Sequence, residues 1–457
     1  MPNRTKIFLF ILTLNLMLPI AICPFVQAAP QWNLVIEGPE PKYCYSVIET
    51  TDGNYVIVGF DYKNDGLCTL WLEKYSPSGN KLWHQVLGTV TESPYAVIQT
   101  QDGGFAIAGS ITYYSAGYSD FKLIKTDASG NVEWNKTIGT EADEKAYSIV
   151  QTSDRGFAIA GSTWSPSTGL STFWLVRVDS SGNELWNQIY EYSDFENAVH
   201  CIVTTKDGGF ALAGYTFRSD GREDFRLVKT DSSGKMQWSQ TYGGGDKDIA
   251  YSVVQTADGG FALAGFSGIY YARGDFWLVK TDSSGNAVWS KKYGGDFEEF
   301  GAYSLVALAD GGFALAGGLG LAEPINAVRD FFLVRVDSSG TQLWNRTYGG
   351  TGDDYATAMT KTSDGAYVLV GITESSKILL LKTEKLENPV ATPTPSASNQ
   401  AGPAQAGGTQ GSTNSDDSSP YPSPSVPEFQ MLMILPFFVM MLSIAILIRY
   451  RRRSIKV

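Results

Sequence analysis

Carboxylates and aromatic rings collect in the irregular segments of this 457-residue chain. The acidic groups are Asp143-Glu144, Asp194 with Glu196, Asp246 with Asp248, Asp296 with Glu298-Glu299, and Asp353-Asp354. The aromatic ones are Tyr113, Tyr114 and Tyr118, then Trp164, Phe217 and Tyr270-Tyr271. Clustered carboxylate oxygens are how proteins hold Ca2+, and ring faces beside carboxylates hold sugars by stacking and charge-assisted hydrogen bonds. Two carboxylates at a set separation would cleave a glycosidic bond. The plainer reading is an acidic, solvated rim. Ca2+ is the one cofactor these residues suggest, with Asp246, Asp248, Asp296, Glu298, Glu299, Asp353 and Asp354 as its expected ligands. Tyr113, Tyr114, Tyr118, Trp164, Tyr270 and Tyr271 are the expected ligand face. No catalytic motif is found, so no catalytic residue is assigned.

Between these segments the chain is repetitive. A turn Asp recurs at Asp52, Asp102, Asp154, Asp207, Asp258, Asp310 and Asp364, at intervals of 50, 52, 53, 51, 52 and 54 residues. A period near fifty with four short β segments predicts propeller blades, because helical repeats would place apolar residues at a 3.6 period. In the copy from Tyr251 to Trp289, strand a is YSVVQT, b is FALAGF, c is DFWLVKTD and d begins AVW. Asp-Gly-Gly joins a to b and Asp282-Ser-Ser-Gly285 joins c to d, each supplying glycine for a left-handed backbone position.

Strand side chains alternate, so Phe-Ala-Leu-Ala (261–264) puts Phe261 and Leu263 on one face and two alanines on the other. A bulky face meeting the flat face of the next blade fills space at every seam. Strand d carries Trp83, Trp134, Trp186, Trp238, Trp289 and Trp344, and the seventh copy stops near Glu387 without one. QWNLVIEG (31–38) supplies Trp32, which makes the N-terminal strand the expected closure of the last blade and removes its exposed edge. The expected fold is all-β, a seven-bladed propeller over residues 30–387.

One basic residue recurs on strand c: Lys74, Lys125, Arg177, Lys229, Lys280, Arg335 and Lys382. Presence in every copy predicts a structural task, such as pairing with a turn Asp, because an active site breaks symmetry. Asn135-Lys-Thr and Asn345-Arg-Thr are glycosylation acceptors expected on the exposed outer strand. Cys44 and Cys68 fall near the starts of strands a and c of the first copy and are expected to form a disulfide, with two separate thiols as the alternative. His84 and His200 lie in different copies and read as structural.

The two ends differ from the repeats. Arg4 and Lys6, the apolar run Ile7 to Ile22 and Val26-Gln-Ala-Ala29 read as a signal peptide over residues 1–29. Residues 388–427 are rich in Pro, Ser, Thr and Gly and read as an extended, disordered stalk. In the tail, 428–457, Gln430 to Ile448 is uncharged and long enough for one transmembrane helix, with Arg449, Arg451, Arg452, Arg453 and Lys456 holding its end in the cytoplasm. Between residues 30 and 429 stand 28 basic and 47 acidic residues, a formal charge of −19 that excludes nucleic acid as a partner.

The run VRVDSSGNELW (176–186) resembles the tryptophan-docking repeat of quinoprotein-type propellers, which implies that an Asp, a Gly and a Trp tie neighbouring blades together. The turn here is one residue shorter and those proteins usually have eight blades. Quinone chemistry does not carry over, since no copy adds cofactor ligands. The repeat is also similar to those of secreted propellers of archaea and bacteria. Pro427-Glu-Phe429, with the apolar helix and arginines behind it, resembles the C-terminal sorting signals processed by archaeosortases, which implies a tail that is cut and replaced by a lipid anchor. Together these features describe an archaeal-type cell-surface glycoprotein for binding, adhesion or envelope scaffolding, whose partner is an extracellular glycan or protein. The alternative is an extracellular, carboxylate-dependent enzyme acting on a polymer.

Overall fold

The alternation on strand b dictates the packing. In the computed structural model, which describes residues 28–386 except 64–66, 91, 114–117, 165–168, 192–194, 270–272, 295–297, 321–328 and 350–351, every seam repeats one contact. Ala262 and Ala264 of one sheet pack against Phe313 and Leu315 of the next, Ala211 and Ala213 against Phe261 and Leu263, and Val368 and Val370 of the last against Tyr55 and Ile57 of the first. Each large side chain so buried contributes about 1.5–3 kcal/mol. Because both faces of every sheet are covered, strands b and c read as nearly continuous apolar runs.

The chain forms seven four-stranded antiparallel sheets, each in the order a-b-c-d. Strands a, at Lys42–Glu49, Glu92–Gln99, Lys145–Gln151, Asn197–Thr204, Lys247–Gln255, Glu298–Ala307 and Tyr355–Lys361, pack side by side in a closed ring around the axis. In the seventh blade the outer strand is N-terminal: Trp32–Ile36 pairs with Lys377–Lys382, from Trp32 opposite Lys382 to Ile36 opposite Ile378. Among the described residues no helix is long and apolar enough to cross a membrane. The expected stalk at 388–427, the tail at 428–457 and nearly all of the signal peptide lie outside the described residues.

The strand-d tryptophans join the blades. A Cβ added at Gly234 would meet the Trp186 ring, and Gly130, Gly182, Gly285 and Gly340 stand in the same way beneath Trp83, Trp134, Trp238 and Trp289. Each of these glycines also has φ between +77° and +82°, so both conformation and space require it. Trp32 covers Gly79 of the first blade, and its indole N–H donates to the Pro77 carbonyl at 2.9 Å. Tyr190, Tyr242 and Tyr293 add a second tie, each donating its hydroxyl hydrogen to the carbonyl of the same glycine (2.6–2.7 Å). A Trp186→Ala variant is expected to lose about 2–4 kcal/mol, because the half-buried ring leaves a gap that rigid turns cannot fill. Denaturant titration of both proteins would show it.

Candidate functional site

At the end of the ring that carries the a-b turns, one arrangement is repeated seven times. Lys74, Lys229, Lys280 and Lys382 reach the turn carboxylates of Asp52, Asp207, Asp258 and Asp364 at 2.7–2.8 Å, Lys125 reaches Asp102 at 3.0 Å, and Arg177 and Arg335 grip Asp154 and Asp310. The basic side chains are buried and the carboxylates half-exposed. The Lys280 ammonium and the Thr256 hydroxyl hold Asp258 down at about 2, and Lys382 with Thr362 does the same for Asp364. This end is a scaffold, and it has the same chemistry in every blade.

The opposite end carries the d-a and b-c loops and differs from blade to blade. Asp246 pairs with Lys292 at 3.1 Å, and Asp353 is clamped by Arg329. Asp248 and Asp354 are buried in the seams, where Asp248 accepts hydrogen bonds from the Ser267 hydroxyl and, at 3.2 Å, from the Gly244 amide. Glu298 and Glu299 lie on strand a of the sixth blade, and Asp296 falls outside the described residues. Among the described residues no three carboxylate, imidazole or thiol groups gather as a metal would need. Of the expected Ca2+ ligands, Asp246, Asp248 and Asp353 are each held by a different partner. Tyr113 and Tyr118 pack ring against ring at 5.4 Å in the second blade, Phe217 packs on Tyr215 at 5.8 Å in the fourth, and Trp164 of the third is 43% exposed. Tyr114, Tyr270 and Tyr271 lie outside the described residues. A cleft of about 580 Å3 opens at this end between the fourth and fifth blades, lined by Phe217, Arg222, Glu223, Asp246 and Lys247.

Two expectations are corrected. Cys44 and Cys68 are free thiols. Strand b lies between them, with Cys44 opposite Gly59 and Cys68 opposite Tyr62, and two strand spacings of roughly 9–10 Å exceed what a disulfide spans. Burial pushes the Cys44 thiol up to about 12. Asn135 is exposed as expected, but Asn345 is 6% exposed, because the N-terminal segment runs alongside and the Ala28 amide donates to the Thr347 carbonyl.

Carboxyl groups also meet in pairs across three seams. Asp120 faces Glu144, Asp224 lies near Asp248, and Asp330 lies beside Asp354. Burial, reinforced by the neighbouring carboxylate, pushes Asp120 and Asp330 up to about 6, and one oxygen of each is buried without a hydrogen bond. At the seam between the third and fourth blades the same two positions hold Thr172 and Asn197, which need no shared proton.

One feature of the axis has no counterpart in the acidic or aromatic loops. Each strand a has a bulge, and the extra residues are Tyr45, Tyr95, Tyr147, His200, Tyr251, Tyr303 and Thr357. The first six form a continuous aromatic belt with centroids 5.5, 5.1, 5.4, 5.2 and 4.7 Å apart. All six keep part of their surface exposed. His200 sits between Tyr147 and Tyr251 and is crowded by Tyr215, and its burial lowers its pKa to about 4. The signal for the bulge was in strand b. The Gly ending each Phe-Ala-Leu-Ala-Gly version (59, 109, 161, 214, 265, 317 and 371) stands where a Cβ would run into the carbonyl oxygen two residues before the bulged one.

No protein-family model and no curated protein matches this sequence. Solved structures match in shape. BBS1N in complex with ARL6DN aligns over 79% of this chain and 99% of its own, with 12% identity and a TM-score of 0.47. Puromycin hydrolase aligns over 76% of this chain and 53% of its own (14%, 0.46), and Sqt1 of Chaetomium thermophilum over 76% and 96% (11%, 0.43). Likeness at this level carries no argument about activity or partner. What stands on the chain's own seven sheets is an all-β, seven-bladed β-propeller.

Proposed function

We propose that this chain is a cell-surface binding or scaffold module that presents the loop end of a propeller to an extracellular glycan or protein. The observation that carries the reading is the contrast between the two ends: one is fixed by the same Asp–Lys/Arg pair seven times, while the other varies and holds the cleft beside Phe217, Arg222 and Asp246. The signal-like N-terminus, the polar segment and the Pro-Glu-Phe tail supply export and anchoring in this reading. Binding of the full-length protein to a glycan array or to envelope protein, lost in a Phe217→Ala/Arg222→Ala variant with unchanged melting, is the expected result. Protease treatment of intact cells should remove the propeller, and its survival would overturn the surface location.

The second reading, a carboxylate-dependent hydrolase, draws on the Asp120–Glu144 and Asp330–Asp354 pairs. Their recurrence at several seams favours a structural explanation, since catalysis needs one site. Release of reducing ends from a polysaccharide, abolished by Asp330→Asn, would reverse that preference.

A further inference from the structure

We propose that the aromatic belt is a binding site for an organic cation, an alkyl- or quaternary-ammonium group entering the channel along the propeller axis. The belt is more than packing. Its rings come from bulges, which give up ladder hydrogen bonds and demand a glycine on the neighbouring strand, and yet six of seven positions spend that space on an aromatic ring. Unlike the fully buried Phe rings of strands b and c, these rings keep part of their surface exposed.

The dimensions suit a cation. Seven positions about 5 Å apart around a ring place each centroid roughly 6 Å from the axis, the range within which a cation is attracted to a ring face. Neighbouring ring planes are inclined to one another by 37–55°. The belt supplies no cation of its own, because His200, its only basic member, is held neutral by burial. Charged groups of both signs lie near it, Asp143 by Tyr147 and Arg329 by Tyr303. Beside the belt, Glu223 and Glu196 act on Tyr215, and Arg329 and Asp353 on Tyr355. Lys145, Lys247 and Arg329 offset Asp143, Glu223 and Asp353, while Glu196 is exposed to solvent. A guest with a positive charge and a greasy surface uses both the quadrupole and the apolar surface of the rings; a neutral guest of the same shape uses only the second.

Calorimetric titration of the full-length protein with choline and with its neutral isostere 3,3-dimethyl-1-butanol tests this. Choline should bind at least about tenfold more tightly than the isostere. Tyr147→Phe, which keeps the π face, should leave the affinity within about twofold, and Tyr147→Leu should weaken it about tenfold. His200→Tyr completes six tyrosines and should strengthen binding, so the outcome does not hang on whether the Leu variant folds. Equal binding of the two guests, absence of choline binding, or loss of binding in Tyr147→Phe would overturn the proposal, the last by showing that a hydroxyl hydrogen bond is what recognises the guest. The belt lies on strands, so its failure leaves the loop-end reading standing, and failure of the glycan or protein binding above leaves the belt standing.

Discussion

A Gly265→Ala variant should melt about 4 °C below the parent in scanning calorimetry. Gly265 ends the Phe-Ala-Leu-Ala-Gly strand of the fifth blade, opposite Ala250 and beside the bulge that carries Tyr251. The added methyl group would sit against the Ile249 carbonyl, with the rest of the Ile249–Ala250 backbone behind it. Backbone cannot rotate away as a side chain can, so either the bulge flattens or the two strands part. Overpacking of this kind costs about 3 kcal/mol. A control separates the clash from ordinary glycine effects: Gly208 has φ +82° in an a-b turn with nothing within 4 Å of an added Cβ. Gly208→Ala should therefore cost only the left-handed strain, about 1–2 kcal/mol. Equal losses in the two variants would show that the strand-b glycine is a matter of conformation and not of space.

The second large effect depends on pH. Asp330→Asn should stabilise the protein relative to the parent at neutral pH and lose that advantage in acid. With a folded pKa raised to about 6 from an ordinary 3.8, Asp330 binds a proton more tightly in the folded state. Its contribution is then complete below about pH 4, falls as the pH rises toward 6, and stays lost above it. Asparagine is neutral throughout and can donate an N–H toward the Asp354 carboxylate, as Thr and Asn serve at the seam of Thr172 and Asn197. Because Asp330 is partly exposed, the gain is on the order of 1 kcal/mol, about 1–2 °C. Comparing variant with parent at each pH cancels two opposite contributions. His200, neutral in the fold, loses stabilising effect as pH falls from about 6.5 to about 4, and Asp258 and Asp364 lose theirs from about 4 to about 2. A melting difference that does not change between pH 4 and 7 would remove the account of a carboxyl raised by burial and by Asp354.

The fold was legible in the sequence because a propeller is built from short-range chemistry repeated in register. The Asp-Gly turns, the Phe-Ala-Leu-Ala alternation, the strand-d tryptophans and the basic residue of strand c each act on the next strand or the next blade. Their spacing therefore already states their neighbours, and the Asp–Lys/Arg pairs occur in all seven blades. The site was much less legible. The acidic loop residues look alike along the chain, yet Asp246 meets a lysine at the surface while Asp248, two residues on, is buried in a seam beside Asp224. Asn135 and Asn345 occupy the same place in the repeat, and only the second is covered by the N-terminal segment. Cys44 and Cys68 are near in sequence, and the strand between them holds them apart.

The local code thus determined strands, turns, blade number and the ties between blades. Tertiary structure alone decided which groups from different blades face one another, because distances across the axis and between loops depend on how seven sheets close on themselves. The Tyr45-to-Tyr303 belt shows the division: each aromatic residue is visible in its own strand a, but only closure of the ring turns six separate letters into one continuous aromatic surface.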